Sequence, residues 1–170
     1  MHDHAHAPRR ATTTTTFDYS VVMVKRAATP VRFDDGVGAR LAAFAAAHPG
    51  LSMSAAANLL VDEGLRMAEH PGVVFRDGPT GRRAGLVGGP DVWEIIRAVK
   101  SARAAEPDLA EGEVVGLVAD NTGVPGRLVN VAIRYWAAYP DEVEAQIAAA
   151  AEAESTAELA WQREHDLLVG

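Results

Sequence analysis

Leu117-Val118-Ala119-Asp120-Asn121-Thr122-Gly123-Val124-Pro125-Gly126-Arg127-Leu128-Val129-Asn130-Val131-Ala132 is the segment from which the rest of the architecture is worked out. Two helices joined by a tight turn need a small residue where they touch, a turn residue that tolerates positive φ, and apolar side chains inside the second helix. Ala119, Gly123, and then Val124, Val129 and Ala132 meet these needs in order. Pro125 suits the first helical turn, where its missing N–H costs nothing. The pattern predicts a helix-turn-helix whose second helix turns Arg127, Asn130 and Arg134 outward. Arginine and asparagine are the side chains that make paired contacts to guanine and adenine edges, so these three are candidate DNA contacts. An ordinary helical hairpin with a glycine cap follows the same pattern.

Working back toward the N-terminus, Asp91 stands before a helix with Val92, Ile95, Ile96 and Val99 as its buried stripe. Before it, Val73 to Phe75 and Ala84 to Val87 flank Arg76-Asp77-Gly78-Pro79-Thr80-Gly81-Arg82-Arg83. This predicts a β hairpin with a long tip rich in glycine and proline. Arg82 and Arg83 at that tip are placed to reach a phosphate or the minor groove. Toward the C-terminus, Pro140 breaks the second helix of the pair and an alanine-rich helix follows, from Asp141 to about Leu168. With 33 alanines and only 6% aromatic residues, the fold class is mainly α, packed through small side chains.

Residues 21–70 have a different character. Val21 to Val24 and Pro30 to Phe33 are extended runs, and the second leads into Asp34-Asp35, which suits a helix start. Val37, Leu41 and Phe44 share one face of that helix, and His48-Pro49-Gly50 ends it. Ser52 is the natural cap of another helix carrying Ala56, Leu59, Leu60, Glu63 and Met67, which His70-Pro71-Gly72 ends. A lone strand would leave its backbone N–H and C=O groups unpaired, so two chains are expected to pair theirs.

On Val31-Arg32-Phe33, the helix from Asp34 to Ala47 and Gly50-Leu51-Ser52-Met53-Ser54, this stretch resembles the ribbon-helix-helix family of bacterial repressors and antitoxins. The resemblance implies a homodimer through the N-terminal ribbon, with Ala28, Pro30 and Arg32 facing the major groove and Ser52 and Ser54 at a phosphate. Of the three strand positions only Arg32 can donate to a base edge. Residues 70–147 look like the winged-helix-like antitoxins of the VapB-like group, found beside PIN-like ribonuclease toxins. That likeness rests on the His-Pro-Gly start, the glycine-rich hairpin, Val92-Trp93-Glu94-Ile95-Ile96, the helix pair and Tyr139-Pro140-Asp141-Glu142-Val143; the charged link from Lys100 to Gly112 departs from it. The expected organisation is a disordered tail (1–20), a ribbon-helix-helix module (21–70), a winged-helix-like helix-turn-helix domain (71–140) and an acidic C-terminal helix (141–170).

Charge is divided along the same lines. The formal net charge is −7. Residues 141–170 hold eight acids against Arg163 alone, a sum of −7, so residues 1–140 carry 15 acids and 15 bases. A neutral body remains eligible to bind DNA, and the acidic segment reads as an interaction tail. Acids suit the basic rim of an RNA-cutting nuclease, and Trp161, Leu167 and Leu168 are the candidate anchors for such a toxin. His2, His4 and His6 in the N-terminal tail read as solvated, and no metal or cofactor is expected. The absence of cysteine excludes disulfides, cysteine zinc sites and thiol nucleophiles. Apart from the His2/His6 spacing in the N-terminal tail, no His-x-x-x-His pair is present, nor is a P-loop or nucleophile elbow, so an enzyme is not expected. No apolar run approaches the roughly 18 residues that span a bilayer, and residues 1–20 lack a signal-peptide core. The expectation is a cytoplasmic antitoxin that binds operator DNA and a PIN-like toxin. The alternatives are a stand-alone transcriptional regulator and a dimeric scaffold that never touches DNA.

Overall fold

The first two helices begin where a side chain can accept the amide protons that a first turn leaves open. The Asp34 carboxylate accepts from the Val37 amide at 2.7 Å and starts α1 (Asp35–Ala47). The Ser52 hydroxyl accepts from the Ala55 amide at 3.2 Å and starts α2 (Met53–Glu69). His48 and His70 close these two helices, as the His-Pro-Gly runs predict. Strands β1 (Val73–Gly78) and β2 (Gly81–Leu86) follow, and then α3 (Val92–Ala105), α4 (Glu111–Thr122), α5 (Gly126–Ala138) and α6 (Pro140–Val169). This is a computed structural model, which describes residues 30–78 and 81–169. Among them the architecture is mainly helical, six helices and one antiparallel hairpin.

The hairpin differs from its expected form. Pairing runs from Val73↔Leu86 through Arg76↔Arg83 and Asp77↔Arg82 to Gly78↔Gly81, so the supposed long tip is almost wholly strand. Gly81 opens β2 at φ +106°, and the strand arginines are held by carboxylates outside the hairpin, Arg76 and Arg83 by Asp91 at the start of α3 and Arg82 by Glu63 of α2. Arg82 and Arg83 therefore sit within β2.

One face of the hairpin, Val73, Ala84 and Leu86, packs on Val92, Ile95 and Ile96 of α3, Val118 of α4, and Val129, Ala132 and Tyr135 of α5. Val143 of α6 completes this core, with no exposure at all. The acidic segment therefore divides in two. Its first turns belong to the body, where Val143 and Ile147 face the core. Residues 151–169 are exposed throughout. No described helix is long and apolar enough to cross a membrane.

The α1–α2 pair contrasts with this body. Leu41 and Ala56 are its only buried apolar residues, while Phe33, Met53, Val61, Leu65 and Met67 are exposed. Pro30 to Asp34 carry no regular structure in the single chain. The Val21–Val24 run, Ala28 and the N-terminal histidines lie outside the described residues.

Candidate nucleic-acid interface

Gly123 ends α4 in the left-handed region (φ +70°), a conformation in which side chains with a Cβ are disfavoured. The chain reverses there, and α5 starts behind Pro125. A Cβ at Gly126 would lie 3.4 Å from Val115 Cγ1, so the start of α5 sits directly against α4. Leu128, Val129, Val131, Ala132 and Tyr135 are buried, which orients the helix. Arg127, Asn130 and Arg134 then fall on the opposite face, all exposed, within roughly 60° of arc. Asn130 donates to the Gly126 carbonyl at 3.1 Å. Arg127 and Arg134 border a cleft of about 420 Å³ shared with Pro71, Gly72 and Val87 at the base of the hairpin. Among the described residues neither guanidinium has a carboxylate partner.

The hairpin arginines are arranged otherwise. Arg82 donates from Nε and Nη2 to the two Glu63 oxygens, both at 2.7 Å, and from Nη1 to Asp77 at 3.2 Å. It also lies over the Phe44 ring at 5.4 Å. Arg83 pairs with Asp91, and Arg76 donates to Asp91 at 2.9 Å and to the Gly89 carbonyl at 2.8 Å. A Cβ at Gly85 would stand 2.7 Å from the Arg76 guanidinium, so glycine lets that side chain lie across the strand. Asp91, the N-cap of α3, also turns its buried carboxylate to the hairpin, and Glu94 accepts the Asp91 amide at 2.7 Å. Arg82 and Arg83 thus fasten the hairpin to α2 and α3.

Of the remaining candidates, Ser52 is engaged as the α2 cap, and Ser54 and Arg32 are exposed. Trp161, Leu167 and Leu168 lie on the outlying part of α6 at 62%, 84% and 85% exposure, with Trp161 stacked on His165 at 5.3 Å.

Sequence reasoning missed Arg66. It donates to the Tyr135 hydroxyl at 3.0 Å and to Glu142 at 2.5 Å, and lies 4.1 Å over the Tyr139 ring. Desolvation alone would lower its pKa, but the hydrogen bonds to Glu142 and Tyr135 outweigh this and keep it charged. Burial pushes the Tyr135 phenol well above its ordinary range. The only sequence signal for Arg66 was Asp62 one turn earlier, 2.8 Å from it; its partners in α5 and α6 lie about 70 residues away.

The chain matches no described protein family, no curated protein and no solved structure.

Proposed function

We propose that this protein is a dimeric DNA-binding antitoxin, which represses its own promoter through α5 and neutralises a PIN-like ribonuclease through the outlying part of α6. The observation that carries the reading is the α5 face. Arg127 and Arg134 have no carboxylate partner among the described residues, and they flank Asn130 on a helix held rigidly by its buried side. Cations left unneutralised on one helix face suit a polyanion, and their spacing suits a groove.

A second copy would supply what the α1–α2 pair lacks. Phe33, Val37, Leu41, Phe44, Leu60 and Val61 line a cleft of about 350 Å³. A ribbon-helix-helix dimer would bury such a face and pair, between two chains, the extended run expected before α1. The outlying half of α6 carries Trp161, His165 and Leu168 at helical spacing among acids, an arrangement suited to an apolar groove with a basic rim.

A mobility-shift assay on DNA upstream of the gene tests the DNA-binding claim. A retarded complex is expected that weakens as salt rises and as Arg127→Ala or Arg134→Ala is introduced; no complex at low salt would leave only the scaffold reading. Toxin binding is tested by deleting residues 155–170, since a cut at 141 would also remove Val143 from the core. The shortened chain is expected to keep DNA binding and to lose co-purification with the neighbouring gene's product. Retained co-purification would refute the role given to α6.

A further inference from the structure

A cleft of about 590 Å³ lies between α3, α4 and α5. Its volume falls in the range of small-ligand sites. The walls are apolar, with Ile96, Val99, Val115, Ile133 and one face of Trp136. Four polar side chains border it: Lys100 and Arg103 of α3, Glu111 of α4 and Asn130 of α5. Lys100 is neutralised by Glu144, which also accepts from Trp136 Nε1 at 2.7 Å and whose carboxyl these two contacts hold below the ordinary range. Arg103 differs. It is half-buried, and Nη1 donates to the Leu109 carbonyl at 2.6 Å and the Pro107 carbonyl at 3.4 Å, with no carboxylate pair among the described residues. Two carbonyls position the guanidinium without cancelling its charge, leaving Nε and Nη2 as donors. Glu111 also borders the cleft and can accept from a hydroxyl or amide.

We infer that this cleft is a binding site for a small amphipathic carboxylate, with its hydrocarbon body between Val99, Ile133 and Trp136 and its head group on Arg103. Charge selects the acid over neutral or cationic ligands of the same shape: a half-buried guanidinium gains most from an anion. The α1–α2 cleft also has an arginine, Arg40, but that side chain is exposed and its walls are the face assigned above to a second copy. The cleft shares Asn130 with the outer face of α5, but the inference rests on Arg103 and survives failure of the DNA-binding reading.

Octanoate, octan-1-ol and octylamine, titrated into the full chain and followed by amide chemical-shift mapping, test it. Saturable shifts are expected at Val99, Arg103, Val115 and Ile133, with octanoate binding at least about tenfold more tightly than the alcohol and the amine weakest. Arg103→Gln should reduce the acid-to-alcohol preference to less than about twofold, and Arg103→Lys should keep most of it. Ile133→Trp should abolish the shifts by filling the cleft. Should that variant not fold, loss of the preference in Arg103→Gln decides alone. Equal affinity for acid and alcohol, shifts confined to α1 and α2, or an Arg103→Gln variant that keeps its preference would each overturn the inference.

Discussion

The arginines of the hairpin and those of α5 look alike in sequence and end in opposite circumstances. Arg76, Arg82 and Arg83 each meet a carboxylate from another element, and two of those carboxylates, on Glu63 and Asp91, are buried. Arg127 and Arg134 meet none among the described residues. A charge answered inside the fold holds elements together, whereas an unanswered one on the surface faces water and stays available to a partner. Substitutions in the two sets should therefore separate stability from binding.

The largest effect is expected at Asp91, whose side chain is 4% exposed and holds two guanidiniums. Asp91→Ala leaves both without their partner and should cost about 3–5 kcal/mol in chemical denaturation. A loss below about 1 kcal/mol would break the contrast. Arg82→Ala strands the buried Glu63 and should cost about 2–3 kcal/mol. Arg82→Ala with Glu63→Leu should recover most of that, and DNA affinity per folded molecule should be unchanged in both. Arg127→Ala and Arg134→Ala should stay within about 0.5 kcal/mol of the parent in stability. In DNA binding each should lose about 1–3 kcal/mol, which is roughly fivefold or more. A stability loss at Arg127 as large as that at Arg82 would erase the distinction.

The smallest expected effect lies at the end of α1. The protonated His48 ring donates from Nδ1 to the Phe44 carbonyl (2.8 Å) and from Nε2 to Asp77 (3.3 Å). The Phe44 carbonyl and then Asp77 hold its pKa above the ordinary histidine value against desolvation. Desolvation pushes the Asp77 carboxyl up, but the hydrogen bonds from His48 and Arg82 prevail and hold it below the ordinary range. A raised histidine stabilises the fold below its unfolded pKa and loses that contribution as pH rises through the folded value. A depressed carboxylate contributes above its unfolded pKa and loses this as pH falls through the folded one. The contact is therefore fully formed between the two ordinary values, roughly pH 4 to 6.5. A proton-resonance titration should place His48 above a free histidine, and Asp77→Asn should bring it down; no change in that variant would remove Asp77 from the account.

Local features were largely legible because their causes lie within a few residues. Asp34 and Ser52 as caps, the His-Pro-Gly ends, the Gly123 turn and the outward set Arg127, Asn130 and Arg134 all follow from nearest-neighbour chemistry and helical period. The hairpin was misjudged because glycine and charge look like loop when their partners are unknown. Arg82 reaches Glu63 across 19 positions, and Arg66 reaches Glu142 across 76. No local pattern announces either pair. The acidic segment looked uniform for a similar reason, since Val143 gains its burial from side chains of several other elements.

The sequence by itself determined where helices start and stop, which face of α5 is apolar, and where the net charge is concentrated, since each depends on the identity and spacing of near neighbours. Only the tertiary structure decided which arginines are neutralised, where the body ends along α6, and which cleft keeps an uncancelled cation. Those properties belong to pairs and groups of residues that folding alone brings together, and burial then raises the stakes of each pairing by removing the water that would otherwise satisfy the charge.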